Sequence, residues 1–311
     1  MLILDFINVG NGDAALIREL EGERQKFAML IDCGHDLLER PDGRSRRIYA
    51  GDFLREQGVD RLDLVVLTHY HRDHIGGLGR VLEAARVGEL LCTWLPPREL
   101  RATRLYPDDN DLPRPAQNLL RCLDLLLEAL CLLDARIDRE TILTGERTVA
   151  RNLTDCLALT VDFGDPCLYP RQAQVYDGAL AGRRDRYELL HWGKCMNLTS
   201  LRLRLTYRGQ DIVFGGDAYA VTWDNDTLAP CKILKVPHHA CLSSTTRKYL
   251  THLQPETAVV SVAAGRKDER PHPCIVRLLR EYAREVFFTD AVDLPGLVEP
   301  AYHESVRLTL E

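Results

Sequence analysis

The chain has 311 residues, of which 45% are hydrophobic and 28% charged, a composition typical of a globular protein with a substantial core. Its formal net charge of −6, from 40 Lys and Arg against 46 Asp and Glu, excludes a protein that coats nucleic acid through a uniformly basic surface. A local basic groove is not excluded, because the basic residues are numerous.

The N-terminal stretch MLILDFINVGNGDAALI predicts a strand and not a signal peptide, because Asp5 interrupts it and no basic segment precedes it. The most apolar stretch, LLRCLDLLLEALCLL (119–133), carries three charges on one helical stripe and is too short to span a bilayer. We therefore expect a cytoplasmic protein without membrane contact. Because no export signal is visible, we expect the ten cysteines to be reduced thiols. They form no CxxC pair, so we expect no cysteine zinc site.

The first half alternates strand and helix patterns. Strands are predicted in LILDFINV, DAALIREL, KFAMLIDCG and LDLVVLTH, the last as a continuous apolar run buried on both faces. Helices are predicted in RIYAGDFLREQGV, with Gly58 at its C-terminus, and in LGRVLEAARVG, which ends at Gly88. Between about residues 94 and 195 the pattern degrades, and we interpret this segment as an irregular and helical insertion.

The second half returns to regular patterns. Two alternating strands in SLRLRLTYRGQDIVFGGDA are joined by a turn at Arg208 and Gly209, and CKILKVPHHA is a short strand running into a turn. Helices in TTRKYLTHL and PCIVRLLREYA flank the strand TAVVSVAA, and further strands close the chain. Two strand-rich halves with helices between them predict an α/β layer fold, and we expect residues 1–311 to form a single domain.

The stretch LVVLTHYHRDHIGGL (64–78) carries a metal-ligand pattern directly after a buried strand. In extended backbone His69 and His71 point the same way and can share one cation, while Asp73 and His74 on the next turn can reach a second. The glycines that follow allow close backbone approach. Imidazole with carboxylate suits zinc, manganese or iron. This spacing disfavours the alternative of satisfied core or surface histidines.

Later segments offer further ligands. Asp217 in IVFGGDA follows a strand and could bridge two cations, although an N-cap is the alternative. His238 and His239 in LKVPHHA also follow a strand; because adjacent side chains diverge in extended backbone, we expect one to bind metal and the other to support a ligand or face substrate. His272 in RPHPC precedes a helix, so a capping role competes with a role at the substrate.

The set HxHxDH, GGD and a late histidine resembles the metallo-β-lactamase superfamily. More narrowly, FINVGNGDAALI, LIDCG, LTHYHRDHIGGL, NLTSLRLRL, VFGGDA, LKVPHHACLSS and PHPCIVRLL resemble, in the same order, the β-lactamase-like domain of ComEC-type DNA-uptake proteins. The resemblance implies a four-layer αββα sandwich with two divalent metal ions at one edge of the sheets, Zn²⁺ first and Mn²⁺ as the alternative.

The resemblance also implies residue roles. One metal would be held by His69, His71 and Asp217, and the other by Asp73, His74, His239 and the shared Asp217. Asp13 and Asp32 match acidic positions that support the site, and His238 and His272 match positions near the substrate.

Three departures from the family pattern stand out. Many superfamily members carry another histidine ligand where this chain has Asn197 in CMNLTSL, and His191 is not an evident substitute. The usual HHGS is HHAC here, so Ala240 replaces a glycine. The membrane channel of the DNA-uptake proteins has no counterpart, so we expect no DNA transport by this chain.

Two neighbouring cations can lower the pKa of water and neutralise charge on a phosphoryl oxygen. We therefore expect a metal-dependent phosphodiesterase or nuclease acting on DNA, in which Asp73 orients the nucleophile and His238 or His272 donates the proton to the leaving group. The alternatives are a hydrolase of another ester, of phosphocholine type or small, and a partner subunit of a larger, defence-type complex. The basic clusters AGRRDR and AGRK could contact a DNA backbone, or be solvated loops. A protein partner or a homo-oligomer stays open.

Overall fold

The computed structural model describes residues 1–39, 44–105, 111–144, 147–223, 228–264, 271–300 and 302–311. Its strands follow in chain order: β1 Leu2–Ile7, β2 Ala15–Glu21, β3 Arg24–Ile31, β4 Arg61–Leu62, β5 Leu64–Val66, β6 Arg86–Cys92, β7 Ile137–Ile142, β8 Thr148–Asn152, β9 Leu157–Asp162, β10 Arg202–Tyr207, β11 Gln210–Phe214, β12 Ile233–Lys235, β13 Thr257–Val260, β14 Glu285–Phe288, β15 Val292–Leu294, β16 Leu297–Glu299 and β17 Ser305–Leu310.

The helices lie between these strands: α1 Ala50–Glu56, α2 Arg72–Ile75, α3 Leu78–Ala84, α4 Arg114–Leu133, α5 Leu168–Leu180, α6 Arg186–Cys195, α7 Arg247–Leu253 and α8 Pro273–Tyr282. Gly58 lies just beyond α1 with a φ of 67° and donates its N–H to the Arg55 carbonyl, so it ends that helix as the sequence predicts. No helix within the described ranges combines the length and the apolar character needed to cross a bilayer.

Two large sheets carry the fold. The first has the strand order β17-β1-β2-β3-β5-β6-β4, with β7 paired to β6, and the second has the order β14-β13-β12-β11-β10-β9-β8. In the first sheet β3, β5 and β6 run parallel, and in the second β11 to β14 run parallel. β5 has a parallel neighbour on each side, and β11 is the first of the parallel strands of its sheet; the C-terminal end of each delivers a loop to the sheet edge.

The core lies in three apolar clusters that define four layers. The middle cluster joins the inner faces of both sheets, for example Ile17 and Met29 of the first with Leu203 and Phe214 of the second. A second cluster packs α1, α3, α4 and α6 on the outer face of the first sheet. A third packs α7 and α8 on the second sheet. The predicted α/β class and αββα sandwich are confirmed.

One helix is shorter than predicted. The helix expected in LGRVLEAARVG ends at Ala84, because Ala85 adopts an extended conformation and Arg86 begins β6. Val87, Leu90 and Leu91 of this strand are buried, and the strand pairs in parallel with β5. The apolar spacing of this segment is compatible with the helix period and with the strand period. Burial between two neighbouring strands favours the strand.

The segment 94–195 is more regular than the insertion that the sequence predicts. It supplies β7 to the first sheet and β8 and β9 to the second, besides α4, α5 and α6. The strands β7 and β8 are half exposed and rich in charge, so their apolar alternation is weak. Their backbone pairing with β6 and β9 overrides this local pattern. The single-domain organisation of the whole chain stays a prediction.

Candidate metal centre

The first sheet delivers four of the predicted ligands. His69 and His71 lie in the loop that follows β5, and Asp73 and His74 lie in the short helix α2, which begins directly after His71. His69 and His74 are fully buried, whereas His71 and Asp73 are partly exposed. His71 and Asp73 therefore lie on the side of the four ligands that a substrate can reach.

Close backbone packing holds this loop. A Cβ on Gly77 would lie 2.0 Å from the carbonyl oxygen of Cys33, so only glycine fits between α2 and α3. Arg72 of α2 also pairs with Asp36, its Nη2 lying 2.6 Å from Oδ2. The close approach predicted from the paired glycines is therefore present, and it fixes α2 against the loop that follows β3.

The second sheet delivers Asp217, His238 and His239. Asp217 follows β11 through Gly215 and Gly216, and its backbone N–H donates to Ser200 Oγ at 2.9 Å. Gly216 has a φ of 50°, and a Cβ there would lie 2.3 Å from Ser200 Oγ, so the turn that presents Asp217 requires glycine. Asp217 is thus held by the turn and not by a helix-capping role.

The donors form two groups that share Asp217. We call His69, His71 and Asp217 site one; the His69 Nε2 atom lies 2.9 Å from His71 Nδ1 and 3.8 Å from Asp217 Oδ2. We call Asp73, His74, His239 and Asp217 site two. There His74 Nε2 lies 3.3 Å and His239 Nε2 3.7 Å from Asp217 Oδ1, and Asp73 Oδ2 lies 3.3 Å from His239 Nε2.

Site two fits a divalent cation. The buried atoms His74 Nε2, His239 Nε2 and Asp217 Oδ1 converge, and none has a hydrogen-bond partner among the described residues. Three buried polar atoms without partners are costly unless another group satisfies them. Imidazole nitrogen with carboxylate oxygen is the donor set of zinc, manganese and iron sites. The residues that the sequence predicts as ligands could therefore hold a metal here.

Asp32 supports His74 from behind. Its carboxylate accepts hydrogen bonds from His74 Nδ1, the Thr68 backbone N–H and the Thr68 hydroxyl, each at 2.8 Å. Asp32 adopts a left-handed conformation with a φ of 57°, which Asp tolerates better than most residues. The bond to Nδ1 leaves Nε2 of His74 directed at site two, the usual arrangement behind a metal-binding histidine.

Lys235 is a buried partner that the sequence analysis did not single out. Its Nζ lies 2.7 Å from Asp13 Oδ2, and the other Asp13 oxygen lies 3.6 Å from His239 Nδ1. The sequence indicates such a pair, because a lysine in the apolar strand β12, just before the histidine pair, needs a buried anion. Thr68 and Ser200, which flank His69 Nδ1 at 3.1 and 3.5 Å, were also missed.

Charge sets the protonation of the cluster. Burial opposes the ionisation of Asp73 and Asp217, but His74 and His239 outweigh it and hold the pKa of both carboxyls below the usual range. Despite burial, the same carboxylates raise the pKa of His74 and His239. Burial and then the neighbouring histidines lower the pKa of His69 well below its usual value. His69 is therefore neutral at pH 7, the form that ligates a metal.

His238, His272 and Asn197 lie around the two groups. His238 Nε2 lies 3.1 Å from the Asn197 amide nitrogen and 3.6 Å from Asp217 Oδ2. His272 donates its backbone N–H to the Ala240 carbonyl, and its Nδ1 accepts the Cys274 N–H, so it caps α8. His272 belongs to neither donor group, and this contact corresponds to the capping alternative named from the sequence.

Residues 7–93, which contain Asp13, Asp32 and the HxHxDH motif, match the family model described as the metallo-beta-lactamase superfamily. This N-terminal part of the chain is similar to the metallo-β-lactamase superfamily. Site one and site two are the candidate metal sites of the chain.

Two relatives from Bacillus subtilis (strain 168) extend this comparison. The chain is 22% identical to ComE operon protein 3 over 296 residues, which cover 92% of this chain and 32% of that protein. A 65-residue stretch, 21% of this chain and 22% of the relative, is 35% identical to the probable metallo-hydrolase YhfI. The chain thus spans about a third of the length of ComE operon protein 3.

Among solved structures, the crystal structure of the metallo-β-lactamase fold protein YhfI from Bacillus subtilis covers 99% of both chains. Its TM-score is 0.49 and its sequence identity 10%. The similarity to the metallo-β-lactamase superfamily rests on the match of residues 7–93 and not on this likeness.

Proposed function

We propose that this chain is a metal-dependent phosphodiesterase that cleaves DNA with a pair of divalent cations held in site one and site two. Zn²⁺ is the expected metal and Mn²⁺ the alternative, because both accept imidazole with carboxylate. One observation carries the proposal: the two oxygens of Asp217 face different donor groups, Oδ2 toward His69 and Oδ1 toward His74 and His239. A carboxylate placed in this way suits a bridge between two cations.

The chemistry follows from the donors and their surroundings. When bound, the cations supply Lewis acidity, which makes water more acidic and neutralises charge on an ester oxygen. Asp73 is partly exposed and its pKa is held low by its histidine neighbours, so it stays ionised and can orient an incoming water molecule. The buried walls around His69 and His74 exclude bulk water from the ligands.

Several features support a phosphodiester as substrate. The motifs that resemble DNA-uptake proteins run through both halves of the chain, and the similarity to ComE operon protein 3 covers 92% of it. The chain spans only about a third of that relative, so the activity of the whole relative enters here as a proposal. A centre that binds two cations also grips phosphate locally, which reconciles DNA binding with a net charge of −6.

An arginine-rich segment lies at the far end of the helix that leads to the site. Arg183 and Arg186 are exposed where α6 begins, and α6 runs about 15 Å to the turn that holds Asn197. This distance corresponds to a few nucleotides of a strand that passes from the segment to the metal centre. The second basic cluster, AGRK, lies almost entirely outside the described residues.

The test uses the purified chain loaded with Zn²⁺ or Mn²⁺. Linear double-stranded, circular double-stranded and single-stranded DNA are compared with bis(p-nitrophenyl) phosphate, and the circular substrate separates internal cleavage from cleavage at ends. We expect Asp73→Asn to lower the rate by about 100-fold or more, while the exposed Asp155→Asn, with a side chain 93% exposed, stays at the wild-type rate. Absence of DNA cleavage by a chain that holds two metals would reject the nuclease assignment.

A double variant tests whether DNA is the substrate. Replacing Arg183 and Arg186 together by glutamine removes two cations from the surface without touching either donor group. We expect a higher KM for DNA and an unchanged KM for bis(p-nitrophenyl) phosphate, because the small ester is too short to reach α6. Equal effects on both substrates would place the arginines outside the DNA path.

An apolar feature beside the site favours a second candidate, a hydrolase of another ester. Val221 and Leu242 are 87% and 64% exposed. The two are neighbours, because Ala220 donates its N–H to the Ser243 carbonyl, and they lie on the segments that follow Asp217 and His239. An apolar acyl or alkyl group could rest on them. Faster turnover of p-nitrophenyl butyrate than of the phosphodiester, lost in Leu242→Ser, would favour this candidate.

A further inference from the structure

Site one has one histidine fewer than the corresponding site of many superfamily members. Its two imidazoles and the Oδ2 oxygen of Asp217 make three protein donors, which leaves a four-coordinate zinc ion one position for a further ligand or water. The position that supplies a third histidine in many superfamily members is Asn197 here. His191 is exposed on α6 and does not belong to the group, so it does not replace the missing ligand.

His238 faces this incomplete group. Its Nε2 lies 3.6 Å from Asp217 Oδ2, the same oxygen that lies 3.8 Å from His69 Nε2. Its neighbour His239 instead faces Asp217 Oδ1, at 3.7 Å. The two adjacent imidazoles thus divide between the two oxygens of one carboxylate, one on the side of each site.

The backbone explains how adjacent side chains reach one carboxylate. His238, His239 and Ala240 have φ values of 48°, 52° and 59°, so all three are left-handed where the sequence analysis assumed extended backbone. The turn is held by hydrogen bonds from His238 N–H to the Gly216 carbonyl and from His272 N–H to the Ala240 carbonyl, both at 2.9 Å. Such conformations outside glycine persist at functional sites because the surroundings enforce them.

The contacts of the His238 ring suit a ligand that binds through Nε2. Cys241 Sγ lies 3.0 Å from His238 Nδ1 and can accept a hydrogen bond from the Nδ1–H group. In that tautomer the lone pair of His238 Nε2 is directed at Asp217 and Asn197. Within the described part of the chain, Asn197 Oδ1 is buried and has no hydrogen-bond partner. Rotation of the Asn197 amide would place its Oδ1, instead of its Nδ2, beside His238 Nε2.

We propose that His238 Nε2 is the third imidazole ligand of site one, in place of the histidine that Asn197 replaces, with Asn197 Oδ1 as an additional oxygen donor. Both histidines of the HH pair are then ligands, His238 of site one and His239 of site two. The inference rests on the proposed function, because it assumes that the centre holds two cations. It changes the role of His238 from proton donor to metal ligand.

The experiment measures metal content and affinity, not turnover. His238→Asn is the variant of choice, because Asn tolerates a left-handed conformation, and His191→Asn is the matched control on an exposed surface. Each chain is loaded with Zn²⁺, and its metal content is read by elemental analysis and its stepwise affinities by chelator competition. We expect one of the two zinc ions to bind at least about tenfold more weakly in His238→Asn, and both to bind normally in His191→Asn.

Co²⁺ loading of the wild-type chain gives an independent reading if the variant does not fold. We expect a hyperfine-shifted imidazole N–H resonance from each of His69, His71, His74, His238 and His239. A wild type with two metals whose His238 resonance is unshifted, or a folded His238→Asn chain with unchanged affinities, overturns the inference alone. A wild type that binds fewer than two ions overturns the proposed function together with it.

Discussion

Four of the five imidazoles in the centre contact a supporting group behind the ring. Asp32 holds His74, Asp13 lies behind His239, Thr68 flanks His69 and Cys241 contacts His238. These supporting contacts decide which nitrogen of each ring faces the donor group. Substitutions at the supporting positions therefore test the centre without removing a ligand.

Asp32→Asn is expected to weaken metal binding while it preserves the fold. Asn tolerates the left-handed backbone at position 32, but it replaces one carboxylate oxygen by an amide that cannot accept the His74 Nδ1 proton. Loss of such support typically lowers metal affinity by about 10–100-fold. Chelator competition for site two measures the change. The exposed Asp155→Asn serves as control, and an unchanged affinity in Asp32→Asn would leave Asp32 a purely structural role.

Lys235→Met is expected to destabilise the whole chain. It removes the ammonium group that lies 2.7 Å from Asp13 Oδ2, so the buried carboxylate loses its nearest counter-charge among the described residues. Breaking a buried pair in this way costs about 3–5 kcal/mol of unfolding free energy. Urea unfolding at pH 7 measures the loss. The control Lys26→Met, whose pair with Asp155 is exposed, should leave stability close to that of the wild type. Equal losses in the two variants would contradict this expectation.

At the scale of elements, Glu89 joins the two sheets. This buried residue of β6 in the first sheet lies 2.9 Å from Arg151 of β8 in the second, and it also pairs with Arg139 of β7. Burial opposes its ionisation, but hydrogen bonds from Arg151, Thr141 and Arg139 outweigh burial and hold the pKa of Glu89 below its usual value. The ion pair between Glu89 and Arg151 thus connects the two sheets at one end of the sandwich.

Glu89→Gln is expected to lower stability at pH 7 by about 1–3 kcal/mol, the range for a hydrogen bond to a charged group. A carboxyl with a lowered pKa stabilises the fold above the pKa of the unfolded chain, about 4.3 for Glu, and this stabilisation is lost as the pH falls through the folded pKa. The difference between wild type and variant should therefore shrink below about pH 4. Urea titrations at pH 7 and pH 3.5 test this, and a difference independent of pH would argue against it.

Sequence patterns predicted elements best where the buried residues follow the period of the element. The buried strand β5 and the helices α7 and α8 follow their predicted spacing. The strands β7 and β8 were missed because they are half exposed and are stabilised by pairing with distant strands. The candidate ligands were predicted from their positions after strands, and their division between two sites from the family resemblance; the structure brings these residues together. The direction of His238 was not predictable, because it depends on a left-handed turn that no local pattern announces.

At the scale of the whole molecule, the centre lies between the sheets. Site two takes Asp73 and His74 from the first sheet and Asp217 and His239 from the second. A bound cation therefore connects the two halves of the sandwich, and its binding free energy adds to the stability of the folded chain.

Zn²⁺ is expected to stabilise the wild-type chain by about 2.7 kcal/mol when free zinc is 100 times its Kd. Thermal unfolding with zinc and with a chelator measures the difference in Tm. Asp217→Asn should lose most of this dependence, since Asp217 belongs to both sites. A chain whose Tm rises with zinc equally in wild type and Asp217→Asn would bind the ion elsewhere.

The left-handed turn at the histidine pair restricts which sequences this position accepts. Ala240 is fully buried with a φ of 59°, where a β-branched side chain would collide with its own backbone. Among all twenty amino acids at this position, folded chains should be recovered chiefly with Gly, Ala, Asn and Asp. The buried turn that carries the histidine pair therefore accepts few side chains, whereas the exposed Val221 and Leu242 are not restricted by burial.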